Sequence, residues 1–301
     1  MSSLKIAIVG AGGIGGYIGA KLIQNDYDVT LIARGKHSEA IKENGLKVLE
    51  YKNDDFVVYP YMVESISYEI FDVIFITTKA YDFESACKSI ETCIDENTLI
   101  IPLSNGVEHS KTLQQYLPNA HICDGLIHII SYIKEPGVIH RKSITFYLLF
   151  GSKQHHENLH VLEQLLNNCD LRSKYTTEIQ YETWKKFLFL STTSSLTSYF
   201  NQTMGYILEE QLDLMIDILL EIKKVANKKN INIDNHDIEK AIKQVTHVPY
   251  ESKTSMQLDF EKRKKTELES LTGYIVKEAL KLNIETPQMG KIYNQLKTIN
   301  F

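Results

Sequence analysis

The run Gly10-Ala11-Gly12-Gly13-Ile14-Gly15 can do one piece of chemistry, which is to cradle a pyrophosphate. It follows Ile6-Ala7-Ile8-Val9, which reads as a buried strand, and leads into helical spacing at Ile14, Ile18 and Leu22. In that setting Gly10 allows the tight turn, Gly12 lets the backbone approach the phosphates, and Gly15 lets helix and strand pack closely. The helix N-terminus adds free N–H groups and a partial positive charge. A dinucleotide site is therefore expected here. A carboxylate that would hold a ribose 2′-hydroxyl is missing from the end of the next strand, Asp28–Ile32, where Arg34 stands with Lys36 nearby. A guanidinium can fork onto a 2′-phosphate, so NADP is favoured over NAD.

Other residues with chemical potential are scattered. Lys79 and Asn105 follow the apolar runs Phe71–Thr78 and Leu99–Leu103, at the strand ends where an open parallel sheet binds its ligands. Lys185 and Lys186 adjoin the single tryptophan, Trp184. Ser255 opens Ser255-Met256-Gln257, and Glu267 reads as the start of a helix. Each is unremarkable alone, since exposed lysines are usually solvated and a glutamate at a helix start usually complements the macrodipole. His156-Glu157-Asn158-Leu159-His160 matches H-E-x-x-H, which on a helix places two imidazoles one turn apart for zinc. A catalytic zinc also needs a third ligand and a cleft. No obvious partner follows, so no metal is expected and the segment is read as a polar helix end.

The elements that must position these residues fall into two halves. Strands and helices alternate up to about residue 175. They include a helix with Phe83, Ala86, Cys87, Ile90 and Ile94 on one face, a β-rich stretch from Val138 to Phe150, and a helix through Leu159, Leu162, Leu166 and Cys169. Beyond it the apolar spacing is helical. One long stripe runs from Leu208 to Ala226, a second from Ile238 to Val245, and a third from Leu268 to Leu282. The expectation is an α/β Rossmann domain with a parallel sheet over residues 1–175 and an all-α domain over 176–301, with the active site in the cleft between them.

Composition excludes several classes. Hydrophobic residues make up 43% and charged residues 24% of the 301, which is ordinary for a globular chain. A net charge of −5 gives no pull toward nucleic acid or anionic lipid. No apolar run is long enough to span a membrane, no signal peptide is read, and four cysteines without C-x-x-C spacing suit a reduced, cytoplasmic setting. The helical stripes suit a core or a homodimer interface equally.

Taken in order, Gly10-x-Gly12-x-x-Gly15, Thr78-Lys79-Ala80-Tyr81, Asn105-Gly106, Trp184-Lys185-Lys186, Ser255-Met256 and Thr266-Glu267 leading to Gly273 resemble the ketopantoate reductase family over essentially the whole chain. The resemblance implies NADPH as hydride donor and a small 2-keto acid as substrate, in pantothenate biosynthesis. It implies Lys186 as the general acid that protonates the carbonyl oxygen, with Glu267 orienting or balancing it and contacting the substrate hydroxyl. Ser255 would bind the substrate carboxylate, while Lys79 and Asn105 would hold coenzyme and substrate. Lys185 is the rival acid, roughly 100° round the helix from Lys186. Partial burial would bring such a lysine toward working pH.

The chain departs from the family pattern at three places. Side-chain amides expected four and eight residues after the lysine are Leu190 and Ser194 here, and one expected three before Ser255 is Ser252. Leucine cannot hydrogen-bond, so a polar substrate group there would go unpaired at a cost of about 1–3 kcal/mol. Either the hydroxyls of Ser191, Thr192, Thr193, Ser194, Ser195 and Ser198 compensate, or the substrate is another 2-keto acid. Those hydroxyls could equally bond back to their own helix. A sensor that binds NADP without catalysis is the remaining alternative, and the retained Lys186 and Glu267 argue against it.

Overall fold

A computed structural model describes residues 4–65, 69–152, 156 and 158–299. The chain divides into two compact units, Met1–Ser104 with Glu108–Ile179, and Asn105–Val107 with Gln180–Phe301.

The first unit carries the strands β1 (Ile6–Val9), β2 (Val29–Ile32), β3 (Leu46–Leu49), β4 (Phe56–Val58), β5 (Tyr61–Val63) and β6 (Val73–Ile76). They are followed by β7 (Leu99–Pro102), β8 (His121–Ile122), β9 (Asp124–His128), β10 (Ser131–Glu135), β11 (Val138–Arg141), β12 (Tyr147–Gly151) and β13 (Ser173–Tyr175). Its helices are α1 (Gly13–Gln24), α2 (Gly35–Asn44), α3 (Phe83–Lys88), α4 (His109–Tyr116) and α5 (Asn158–Asn168).

The main sheet runs β5-β2-β1-β6-β7-β8 with each adjacent pair parallel, the doubly wound order. The central strands β1, β6 and β7 are apolar and buried throughout because both faces are covered. Ile6 and Ile8 join Val73, Phe75, Leu99 and Ile101 in one core, while Ala7, Val9, Ile74, Ile76 and Ile100 join another. The strand order reverses between β1 and β6, and the glycine loop leaves β1 at that point.

Two smaller sheets lie outside the sequence-based reading. One is β10-β11-β3-β4 and the other β13-β12-β9. The stretch Val138–Phe150 thus divides between two sheets. Arg141 donates to Tyr17 Oη at 2.6 Å and Tyr17 Oη donates to Glu50 at 2.9 Å, tying α1 to the first of these sheets.

The second unit is helical, built on α6 (Ile179–Phe200), α7 (Met204–Glu210), α8 (Leu212–Lys228), α9 (Asn235–Thr246), α10 (Ser255–Glu261), α11 (Thr272–Lys281) and α12 (Pro287–Lys297). A single apolar cluster, from Val107 and Trp184 to Leu296, forms its core. Three expectations are corrected. The stripe from Leu208 to Ala226 is two helices, broken at Gln211, whose φ/ψ of −130°/24° is not helical. The helix that includes Phe83 stops at Lys88, so Ile90 falls in a turn and Ile94 outside any element. Glu267 does not open a helix: Leu271, at φ −107° and ψ −91°, holds the start of α11 back to Thr272.

Candidate functional site

Two constellations emerge, each within one unit. The first is a cleft of about 360 Å³ at the carboxyl ends of the main sheet, lined in part by Gly10, Ala11, Gly12, Arg34 and Thr78. Gly10 adopts φ +100°, which an L side chain rarely does, and its turn is pinned by Thr77, whose hydroxyl donates to Gly10 O at 2.7 Å. A Cβ on Gly12 would meet nothing within 4 Å, so the loop's backbone faces open space there. The first intrahelical bond of α1 runs from Gly16 N to Gly12 O. The N–H groups of Gly13, Ile14 and Gly15 therefore precede the ladder, as an anion site requires.

The remaining glycines serve packing. A Cβ on Gly13 would strike the Ser131 carbonyl, and one on Gly15 would strike Gly10 O and Thr77 Oγ1. The close helix–strand approach assigned to Gly15 is thus a property of the structure. Thr78 Oγ1, on the cleft wall, is a buried hydroxyl with no partner among the described residues. Anion-ready N–H groups, open backbone at Gly12 and a waiting hydroxyl together fit a dinucleotide.

Arg34 is the N-cap residue of α2, and its Nη2 donates to Ser85 Oγ at 2.6 Å. His37 accepts at Nδ1 from Gly137 N at 3.0 Å, so its Nε2 carries the proton and donates to Ala11 O at 2.9 Å. Burial holds this imidazole below its ordinary value. Sequence reading missed Thr77, Ser85 and His37, and also two carboxylates on the cleft wall, Glu64 and Asp82. Glu64 directly follows β5, which pairs with β2, so sheet order and not sequence proximity brings it to the cleft.

Lys79, half-buried just past β6, precedes a 3-10 turn at Ala80–Asp82. Among the described residues the cleft lining includes neither Lys79 nor Asn105.

The second constellation brings together Lys186, Asn105 and Glu267. Asn105 follows β7 through Ser104, whose hydroxyl donates to Thr78 O. It enters a turn with Gly106 at φ +128°. Lys186 Nζ donates to Asn105 Oδ1 at 3.4 Å, and Asn105 Nδ2 donates to Glu267 Oε2 at 3.4 Å. Both bonds are long, so the amide orients more than it binds. Glu267 is 1% exposed, held in the turn where Ser270 N and Leu271 N donate to its carbonyl. Burial lowers the Lys186 ammonium from 10.5 to about 8, against the pull of the Glu267 charge. Lys185 is engaged elsewhere: it pairs with Glu182 at 3.0 Å and lies 4.9 Å from the Tyr181 ring centroid.

Seven consecutive or near-consecutive hydroxyl positions follow on α6, all buried. Thr193 bonds back to Phe189 O at 2.8 Å, Ser195 meets Thr272 at 2.7 Å, and Thr197 meets Thr254 at 2.8 Å. The side-chain oxygens of Ser191, Thr192, Ser194 and Ser198 have no partner among the described residues. Leu190 is half-buried and packs against the helical core. Ser255 is exposed in the first turn of α10, and Ser252 O accepts from Met204 N at 2.9 Å just before it.

The H-E-x-x-H match does not converge. Glu157 lies outside the described residues. His156 precedes α5, accepting at Nδ1 from Asn158 N and meeting Asn97 O at 3.1 Å through Nε2. His160 instead pairs with Glu163 and stands edge-on to Tyr175. Among the described residues no group of three or more metal-ligating side chains is found, and no helix is long and apolar enough to cross a membrane.

A family model described as Ketopantoate reductase PanE/ApbA matches residues 6–154, and its C-terminal counterpart matches residues 178–300. The chain is 28% identical over 298 residues to an oxidoreductase of Bacillus subtilis named YkpB, itself uncharacterised, covering 98% of each chain. It is 28% identical over 288 residues to a 2-dehydropantoate 2-reductase of Pyrococcus horikoshii, covering 94% of this chain and 93% of that one. The crystal structure of a 2-dehydropantoate 2-reductase from Porphyromonas gingivalis superposes with a TM-score of 0.87 at 28% identity, over 99% of this chain and 100% of that one.

Proposed function

Because the chain belongs to the ketopantoate reductase family and is an oxidoreductase of that family, we propose that it reduces a small 2-keto acid with NADPH, ketopantoate being the first candidate. Bound in the glycine-loop cleft, such a coenzyme would supply the hydride that the keto carbon takes up. Arg34 would hold its 2′-phosphate, the loop N–H groups its pyrophosphate, and Lys79, at the end of β6, would balance its charge.

Lys186 Nζ gives a proton to the carbonyl oxygen, so that the C=O becomes CH–OH and the lysine is left neutral until solvent reprotonates it. The observation that carries this reading is the convergence of Lys186, Asn105 and Glu267, in which burial holds the Lys186 ammonium down at about 8. A group there is mostly protonated at neutral pH, yet weak enough in its hold on the proton to donate it. Asn105 aims the ammonium, and Glu267 keeps the charged form accessible and accepts from a substrate hydroxyl. Ser194, Ser252 and Ser255 supply hydrogen bonds to the substrate, Ser255 to its carboxylate.

A second reading is favoured by Leu190 beside the unpartnered hydroxyls of Ser191, Thr192, Ser194 and Ser198. This pattern suits a different 2-keto acid, whose polar groups fall toward the hydroxyls and whose apolar part falls toward Leu190.

The test is oxidation of NADPH by purified protein with ketopantoate, beside a Lys186→Ala control. Turnover abolished by the substitution supports both substrate and acid. Turnover confined to other 2-keto acids supports the second reading. NADPH binding without oxidation by any 2-keto acid would overturn both.

A further inference from the structure

Arg34 does not stand alone in the coenzyme cleft. Of the described side chains lining it, Arg34 carries the one full positive charge, while Glu64 and Asp82 each carry a negative one. The fold brings both carboxylates to the cleft wall that carries Arg34. Ile32 of β2 is in register with Val63 of β5, and Ala33 N donates to Val63 O at 3.0 Å. The chain then continues as Arg34 on one strand end and Glu64 on its neighbour. On the other side Asp82 is the N-cap residue of α3, one turn before Ser85, and Ser85 Oγ is where the Arg34 guanidinium is held. His37, the remaining nitrogen base on the wall, is neutral, with both ring nitrogens committed to backbone partners.

The charged side chains of the described cleft lining thus sum to one negative charge. A 2′-phosphate gains one guanidinium and faces two carboxylates, whereas a free 2′-hydroxyl can donate to a carboxylate. We propose that Glu64 and Asp82 set the coenzyme preference of this chain: they offset Arg34, so that NADH is a working ligand and NADPH is favoured only weakly. This rests on the reading of the cleft as the coenzyme site.

Equilibrium titration of NADPH and NADH, followed by the fluorescence of the reduced nicotinamide, tests it without any substrate. The wild type is expected to bind the two within about tenfold of each other, the discrimination left when one cation is offset by two anions. Glu64→Gln combined with Asp82→Asn is expected to tighten NADPH roughly tenfold and to leave NADH within about twofold or weaken it. NADH binding doubles as the check that the variant is folded, and the NADPH gain should shrink in high salt because these side chains are exposed. A wild type that prefers NADPH more than about a hundredfold would overturn the proposal and leave the proposed reaction standing. Equal tightening of both coenzymes would also overturn it, by placing the carboxylates against the shared pyrophosphate. Failure of both coenzymes to bind would bring down the coenzyme site and this proposal together.

Discussion

Replacing Lys186 by methionine should abolish turnover and make the protein more stable. The wild-type ammonium titrates at about 8 instead of 10.5, a value that already includes the attraction of Glu267. At about 1.4 kcal/mol per pH unit, holding the charge in the folded protein costs roughly 3 kcal/mol relative to the unfolded chain. Methionine has a similar shape and no charge, so most of that cost disappears, while the bond to Asn105 is lost; a net gain of about 1–3 kcal/mol is expected.

The gain has a pH signature. Because the folded value is the lower one, the unfolded chain binds more protons between about 8 and 10.5. Wild-type stability from this group therefore rises across that window, and the advantage of the variant shrinks as the wild-type lysine becomes neutral in both states. Trp184 is the only tryptophan, 3% exposed and two residues away, so its fluorescence during thermal unfolding reports on the helical unit. A rise in Tm of about 3–10 °C at pH 7 that fades toward pH 10 is expected. A variant less stable than wild type at pH 7, or a difference in Tm independent of pH, would refute the account of a lysine held against its own desolvation.

Three more outcomes follow from the same geometry. As Lys186 must be protonated to act, kcat should fall as pH rises through about 8, and Glu267→Gln, which removes the charge that raises that value, should move the alkaline limb lower; pH profiles of both proteins check this. Ser194→Ala should change apo stability by less than about 1 kcal/mol, because its buried hydroxyl has no partner to lose, yet should raise KM for the true substrate several-fold. Glu221, 5% exposed, accepts from Gln288 N at 2.8 Å and Met289 N at 2.9 Å at the start of α12, so Glu221→Ala should cost about 2–3 kcal/mol in denaturant unfolding, and Glu221→Gln less.

The parts of the fold written in local pattern were readable. β1, the glycine loop and α1 follow from an apolar run, a glycine spacing and a 3.6-residue stripe, all contiguous in the chain. The sheet β10-β11-β3-β4 was not, because Val48 pairs with Ile139, across a separation no local window spans. α12 had a usable signal in Pro287 at its first position with Met289, Ile292, Tyr293 and Leu296 on one face, and it went unread. In the site, Arg34 was visible as an absence of carboxylate at the end of β2. Its opposing carboxylates were not, since Glu64 arrives through the neighbouring strand and Asp82 from the turn before α3. The resemblance picked out Lys186, Asn105 and Glu267; their convergence within one unit is a fact of tertiary structure.

That convergence gives Asn105 a task an ionised residue could not perform. Its amide accepts from Lys186 Nζ and donates to Glu267 Oε2, so one neutral group aims the acid and steadies the carboxylate. A neutral acceptor leaves desolvation as the dominant influence on the lysine, and desolvation brings it to about 8. Asn105→Asp keeps the shape and the acceptor but sets a second anion against the ammonium. The lysine should then hold its proton to higher pH, and the alkaline limb of the kcat profile should move up by roughly one pH unit or more. At the same time kcat at pH 7 should fall, because a more basic lysine is a poorer donor and because the introduced carboxylate, unlike the amide, has no N–H to give Glu267. Asn105→Ala should slow the reaction and leave the limb near its wild-type position, since it removes aim without adding charge. An Asn105→Asp profile that coincides with wild type would mean that the amide does not govern the acid.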